Sequence, residues 1–413
     1  MVRYFYIAFL FYVPIIGMFI PATNFGEGVP ELSIDRFFFY LLMVVFSIEI
    51  SITKVIIKNL SKWFAVLCIF YLIVVASIKW SNYYSYNFET IQMLFEKAFV
   101  PFFIAFLAHY LFSAKHNIDL YIKNSYICAG IVSLISIFSM VFALASGNTA
   151  YRSELGGALD NPNLVAIFLV LTIPCILYGI ENKIIPRVSG WVVTVSVIFG
   201  IICTVSRKGT VTMVLAFSLI LLFRKQFKKL IVLGILCAAF IPIILGVATF
   251  SSRFSSEVLQ EQFEGKAVMA LAGLDMFKRS PLIGNGYKGY HRLFAEYFPA
   301  SRFGRYDAHN IYITALANYG IIGFIPFIGI FLYPLFFSYK KLRGKNTSLN
   351  TQHLKQMAII CIASVVPFMI SGWFAGGLFY TNVVMLVLYS QITFVFSAAA
   401  WKKQAPDPNR SDV

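Results

Sequence analysis

Charge is scarce in this chain. Asp, Glu, Lys and Arg together make up 13% of its 413 residues, against 59% hydrophobic ones, too little polarity for a water-soluble domain. Acidic residues are the scarcer sign, 18 against 34 basic, and paired carboxylates at close spacing are missing. So are the Walker sequence, HExxH and a serine nucleophile elbow, which argues against an ATP-driven pump, a zinc protease and a serine hydrolase. The six cysteines (68, 128, 175, 203, 237 and 361) fall inside apolar runs without CxxC spacing. They read as small buried hydrophobes, neither zinc ligands nor a disulfide framework. The first apolar run lacks an A-x-A-like cleavage site, so it reads as a retained span that also directs insertion.

What is present in abundance is continuous apolar sequence. A bilayer core asks for about 20 apolar residues per helix, and roughly twelve such runs can be counted on that criterion. Their continuity, without alternation, predicts an all-α polytopic membrane protein and not a barrel. The expected spans are 4–21, 36–52, 63–79, 93–113, 125–145, 163–180, 190–205, 209–223, 230–250, 310–337, 357–371 and 380–397. The 43 Phe and 23 Tyr suit lipid contact and interfacial anchoring. The net charge of +16 lies mainly in short loops on alternate sides, which speaks for a membrane and against nucleic acid as partner.

Lys and Arg set the orientation. One set of short loops, from Lys54 to Arg410, holds nearly all of them, whereas the opposite loops 22–35, 80–92, 146–162 and 372–379 hold only Arg152. Both termini are therefore expected in the cytoplasm, with 1–397 as a single helical membrane domain and 398–413 as a polar cytoplasmic tail. The same reckoning places the long segment 251–309 in the periplasm. It carries eight basic residues, which only a long segment tolerates on that side. Ordered segments of this length are usually functional.

The candidate chemistry gathers on that outer side. SRKGT puts Arg207 and Lys208 in a very short turn beside the membrane core, costly unless they meet water, an anion or a partner; a snorkelling pair is the plainer alternative. YRSELGGALDNPN, 151–163, has the residues of a tight hairpin connection. Val268 to Phe277 fits an amphipathic helix along the membrane surface, followed by the Gly-rich turn SPLIGNGYKGY. Then comes Arg305 to Gly323, RYDAHNIYITALANYGIIG, with His309 and Asn310 at the expected boundary and Gly320 and Gly323 three turns deeper. A histidine there can titrate near neutral pH and accept a proton from a hydroxyl, or it can be interfacial without chemistry. Arg207, Lys208 and Lys266 can neutralise phosphates, Arg as a planar fork and Lys as a point charge. Glu96 and Lys97 interrupt the fourth span, either lining a polar cavity or preceding its start. His109 and His116 sit near its cytoplasmic end, away from this group.

These residues resemble the O-antigen ligase and O-unit polymerase superfamily of bacterial envelope glycosyltransferases. The ligase motif is His, then Asn, Ser or Gln, nine residues, Gly, two residues, then Gly, Thr or Tyr. It is met by His309, Asn310, Ile311 to Tyr319, Gly320 and Gly323. SRKG matches the family's arginine at Arg207, and GKAVMALAGLDMFKRSPLIGNG and NPNLVAIFLVLTIP are typical of it; the similarity covers about 150–335. One position departs, because Lys266 stands where the ligases have a second arginine, with Arg253 and Arg279 as possible substitutes. The resemblance implies a metal-independent, inverting transfer of glycan from a polyprenyl diphosphate, without a cofactor. The acceptor is a saccharide, lipid A–core or a growing glycan. Donor phosphates rest on Arg207 and a second cation, Lys208, Arg253, Arg279 and Asn310 line the substrate site, and His309 lies near the acceptor hydroxyl. A transporter or flippase of lipid-linked glycans is the alternative from a different class; it predicts an internal repeat or polar residues spread through the spans.

Overall fold

A computed structural model describes residues 1–16, 34–53, 61–81, 95–147, 155, 159, 161–235, 256–297, 308–344, 349–373 and 382–401. These residues are helical, with no strand among them, as the uninterrupted apolar runs require. In chain order the helices are α1 (Val2–Ile16), α2 (Ile34–Thr53), α3 (Lys62–Trp80) and α4 (Val100–Leu111), the last entered through a π-turn at Phe95–Phe99. Then follow α5 (Lys115–Ala145), α6 (Pro162–Glu181), α7 (Arg187–Cys203) and α8 (Arg207–Phe223). After a helical stretch at 227–235 come α9 (Ser256–Arg279), α10 (Gly289–Tyr297), α11 (Ile311–Leu342), α12 (Leu349–Trp373) and α13 (Asn382–Trp401).

Six of the described helices are long and apolar enough to cross a membrane: Lys62–Trp80, Lys115–Ala145, Pro162–Glu181, Ile311–Leu342, Thr351–Trp373 and Val383–Ala400. That is half the expected count. Val2–Ile16, Lys97–Leu111 and Arg187–Cys203 are apolar but shorter, and most of the expected span 230–250 lies outside the described residues.

Burial sorts the six. The apolar windows of α6 and α13 are each 83% buried and that of α12 72%, against 39% for α11 and 44% for α3 and α5. The first three therefore form the centre, and the others keep one face outward, with Phe138, Phe142, Ile325 and Phe336 exposed. Lipid is as apolar as these side chains, so the helices associate through close packing and internal hydrogen bonds. Gln391 Nε2 donates to the Leu171 carbonyl at 2.7 Å, joining α13 to α6. Trp63 Nε1 donates to Ile330 O at 2.8 Å, joining α3 to α11. At Gly200 of α7 a side chain would lie 2.8 Å from Ser133 Cβ of α5, and Ser136 Oγ donates to the Gly200 carbonyl at 3.1 Å.

A second, smaller core stands apart from the main one. Met269, Ala272 and Met276 of α9, Tyr290 and Phe294 of α10, and Ala308 and Ala317 at the start of α11 bury one another. The helix expected at 268–277 is thus the C-terminal part of a longer one, with an apolar face closed by α10 and α11.

Candidate active site

The short connection between α7 and α8 fixes the first candidate group. Val205 lies at φ +51°, a left-handed conformation in which a β-branched residue is an outlier. Ser206 then caps α8: its Oγ accepts the Gly209 N–H at 3.1 Å, and its own hydroxyl donates to Asn163 Oδ1 at 2.8 Å. Asn163 is held in turn by Asn161, the cap of α6, whose Oδ1 accepts the Asn163 backbone N–H at 2.9 Å and its Nδ2 at 3.0 Å. A side chain at Gly209 would come within 2.4 Å of Ala166 Cβ, so α6 and α8 meet here without a gap. Arg207, half-buried, is the first residue of α8. Lys208 is half-buried too and begins the same turn, its side chain leaving the helix in a different direction from that of Arg207.

The second group comes from α9. Lys266 is half-buried, and its ammonium is held below the usual lysine range, first by burial and then by the positive charge of Arg207. The charge of Arg207 thus reaches a lysine 59 positions away (266 − 207) in the sequence. Like charges in a half-buried place oppose each other, and an anion between them relieves that opposition.

The third group is the start of α11. Asn310 caps the helix, its Oδ1 accepting from Tyr312 N at 2.9 Å and Ile313 N at 3.1 Å. His309, just before the cap, sits at φ +49°, a conformation that costs an L-residue about 1–2 kcal/mol. Buried Ala308 on one side and the capped helix on the other hold it there.

Ten residues on, α11 is broken. Gly320 takes φ +58° and ψ −165° inside the helix, which deletes the bonds that the N–H groups of 321 and 322 would make to carbonyls 317 and 318. The loop Pro281–Gly286 supplies partners for these four groups. Ile321 N donates to Pro281 O at 2.9 Å and Ile322 N to Leu282 O at 3.1 Å. In return Asn285 N donates to Ala317 O at 2.9 Å and Gly286 N to Asn318 O at 2.8 Å. The backbones touch so closely that a side chain at Gly320 would meet Leu282 C and O at 2.4 Å, and one at Gly284 the Asn318 carbonyl carbon at the same distance.

This interlock sets the relation of α9 to α11. Asn285 Nδ2 bridges Met276 O (3.3 Å) and Ala317 O (2.8 Å), and buried Asn318 accepts the Tyr290 N–H at 2.7 Å. A side chain at Gly273 would lie 2.3 Å from Ile313 Cγ2. The helices therefore run side by side in the same direction, 273 beside 313 and 276 beside 317. Lys266, one turn before Met269, and His309, just after Ala308, lie at the same end of the small core that Met269 and Ala308 share.

Of the remaining candidates, Arg279 lies thirteen residues (279 − 266), or about 20 Å, along α9 from Lys266. Its guanidinium sits 4.6 Å from the centre of the Tyr297 ring. Arg253 lies outside the described residues. No group of three or more His, Cys, Asp or Glu among the described residues can hold a metal ion. Four polar residues that set the geometry, Asn163, Ser206, Asn285 and Asn318, were not singled out from the sequence. The clustering of Asn with Gly and Pro in DNPN and LIGNG was the signal for Asn163 and Asn285; Ser206 and Asn318 carried none.

Residues 192–328 match the O-antigen ligase family model. The matched stretch runs from α7 past the break in α11 and contains Arg207, Lys266, His309, Asn310 and Gly320. An uncharacterised protein of Haemophilus influenzae is similar over 316 residues at 24% identity, covering 70% of this chain and 76% of its own length. The resemblance read from the sequence is borne out over this stretch: residues 192–328 are similar to the O-antigen ligase superfamily.

Proposed function

We propose that the protein is a glycosyltransferase that moves a glycan from a polyprenyl diphosphate onto a saccharide acceptor at the periplasmic face of a bacterial inner membrane. The observation that carries this reading is that half-buried Lys266 of α9 feels the positive charge of Arg207 and lies at the same end of the small core as His309. A diphosphate resolves that conflict, and its negative charge grows as it leaves the sugar. Preorganised cations stabilise such a group most in the transition state. The acceptor oxygen attacks the anomeric carbon from the face opposite the diphosphate. The new C–O bond forms as the carbon–phosphate oxygen bond breaks, and that electron pair leaves on the diphosphate. His309 accepts the hydroxyl proton. Arg207 supplies a planar fork and Lys266 a point charge, so Lys266 keeps the charge of the family's second arginine without its bidentate grip.

The family description favours lipid A–core as acceptor, making the protein a ligase. Deleting the gene and analysing lipopolysaccharide together with polyprenyl-linked glycans tests this. Bare core with accumulated long lipid-linked chains is the expected result. Core capped with a single repeat unit would make the protein a polymerase, and unchanged lipopolysaccharide would reject both. Complementation with His309→Ala should leave the transfer roughly 10²–10⁴-fold slower, the usual weight of a general base, with the protein still in the membrane. Full complementation by that variant would remove the enzyme reading and favour transport.

A further inference from the structure

Arg207 occupies the first turn of α8, and its direction depends on where that turn begins. Three features fix the start. Thr204 Oγ1 accepts the Ser206 N–H at 3.3 Å, and Ser206 Oγ accepts the Gly209 N–H at 3.1 Å. Both lie within the chain's own turn. The third comes from another helix: Asn163 Oδ1 of α6 accepts the Ser206 hydroxyl at 2.8 Å. Ser206 is buried, so without Asn163 its hydroxyl proton would lack its acceptor. The Asn163 amide cannot swing away, because Asn161 Oδ1 holds both its Nδ2 and its backbone N–H. Val205, in a left-handed conformation just upstream, stays there only while the neighbouring contacts over-determine it.

We propose that Asn163 is a positioning residue for Arg207. It acts through Ser206, fixing the start of α8 so that the guanidinium meets the donor phosphates at the side of Lys266. This rests on the reading of Arg207 as a donor-phosphate group. Asn161 and Asn163 are then components of the anion site, not a plain connection. Asn163 takes no part in bond making; its effect is on where a charge sits, and a misplacement of about 1 Å can cost 10²-fold.

The test measures affinity of the purified full-length protein for farnesyl diphosphate, a short prenyl diphosphate probe, alongside the thermal unfolding midpoint. Asn163→Ala and Ser206→Ala should each weaken binding about 10- to 100-fold with the folded fraction unchanged. The double variant should be no weaker than Ser206→Ala, because the two residues act in series. Ser206→Thr, which keeps the hydroxyl, should bind nearly as the unsubstituted protein does. Multiplying losses in the double variant, or weakened binding that only tracks lost folded protein, would overturn the inference. Unchanged binding by Asn163→Ala, with Arg207→Ala losing the probe, would overturn it alone. If Arg207→Ala binds the probe as tightly as the unsubstituted protein, the reading of the cation pair fails and the inference falls with it.

Discussion

At the scale of single residues, Lys266 is the position whose chemistry is most open to measurement. Burial and the Arg207 charge hold its ammonium below the ordinary lysine range. A cation with a lowered native pKa costs stability while charged. The cost is full below the native pKa and is lost as pH rises to the unfolded value, so the free protein gains stability through that alkaline window. A bound diphosphate acts oppositely, since it favours the ammonium and draws a proton up on binding. Affinity for a prenyl diphosphate should therefore fall as pH rises through the native pKa of Lys266. Lys266→Arg should flatten that decline, because a guanidinium stays charged there; an identical decline in the variant would exclude Lys266 as its source. The sequence marked Arg207, Lys266 and His309 because basic groups on the outer side of a membrane chain are conspicuous. It did not mark Asn163 or Ser206. Their importance lies in a bond across 43 positions, and amides and hydroxyls at turns are common enough to pass as solvation.

At the scale of elements, the broken helix is decisive. The apolar run at 310–337 reads as one span, and Pro326 and Pro334 are the places where a kink would be sought by rule. Both prolines sit inside continuing helix, and the break falls at Gly320. Proline removes one donor, whereas glycine admits the left-handed conformation that lets another backbone in. That difference depends on a partner loop, which periodicity within the run cannot show. Gly320→Ala should destabilise the protein by about 2–4 kcal/mol, combining an unfavourable φ with backbone that cannot retreat. Gly234→Ala, at a glycine with open space around it, should leave the unfolding midpoint within a degree or two of the original. Equal midpoints for the two variants would mean that the interlock contributes nothing. Asn318→Ala removes the acceptor of the buried Tyr290 N–H and should cost about 1–3 kcal/mol, read in the same experiment.

At the scale of the whole molecule, helicity and burial could be anticipated better than topology. Apolar continuity forces helices in lipid, and each expected span among the described residues coincides with helix. The number of crossings is harder to read, because an apolar run does not reveal its helical length. Helices such as Arg187–Cys203 are short for a bilayer. The distribution of Lys and Arg still makes a definite statement about sides. Alkaline phosphatase fused within the α5–α6 connection, 146–161, should be active, and fused within the α6–α7 connection, 182–186, it should be silent. The reverse pattern would turn the molecule over and place the Arg207–Lys266 pair in the cytoplasm, where no periplasmic transfer can occur.

The exchange of hydrogen bonds at Gly320 also bears on how the protein is made. Residues 281–286 leave the ribosome before 317–322, so the partner loop exists before the helix that needs it. A helix entering lipid with two bare carbonyls and two bare amides would pay several kcal/mol for each. Docking of the earlier loop removes that barrier at the moment of insertion. Moving the loop to a later place in the chain, by circular permutation, would preserve every contact of the finished fold and still leave the nascent helix exposed.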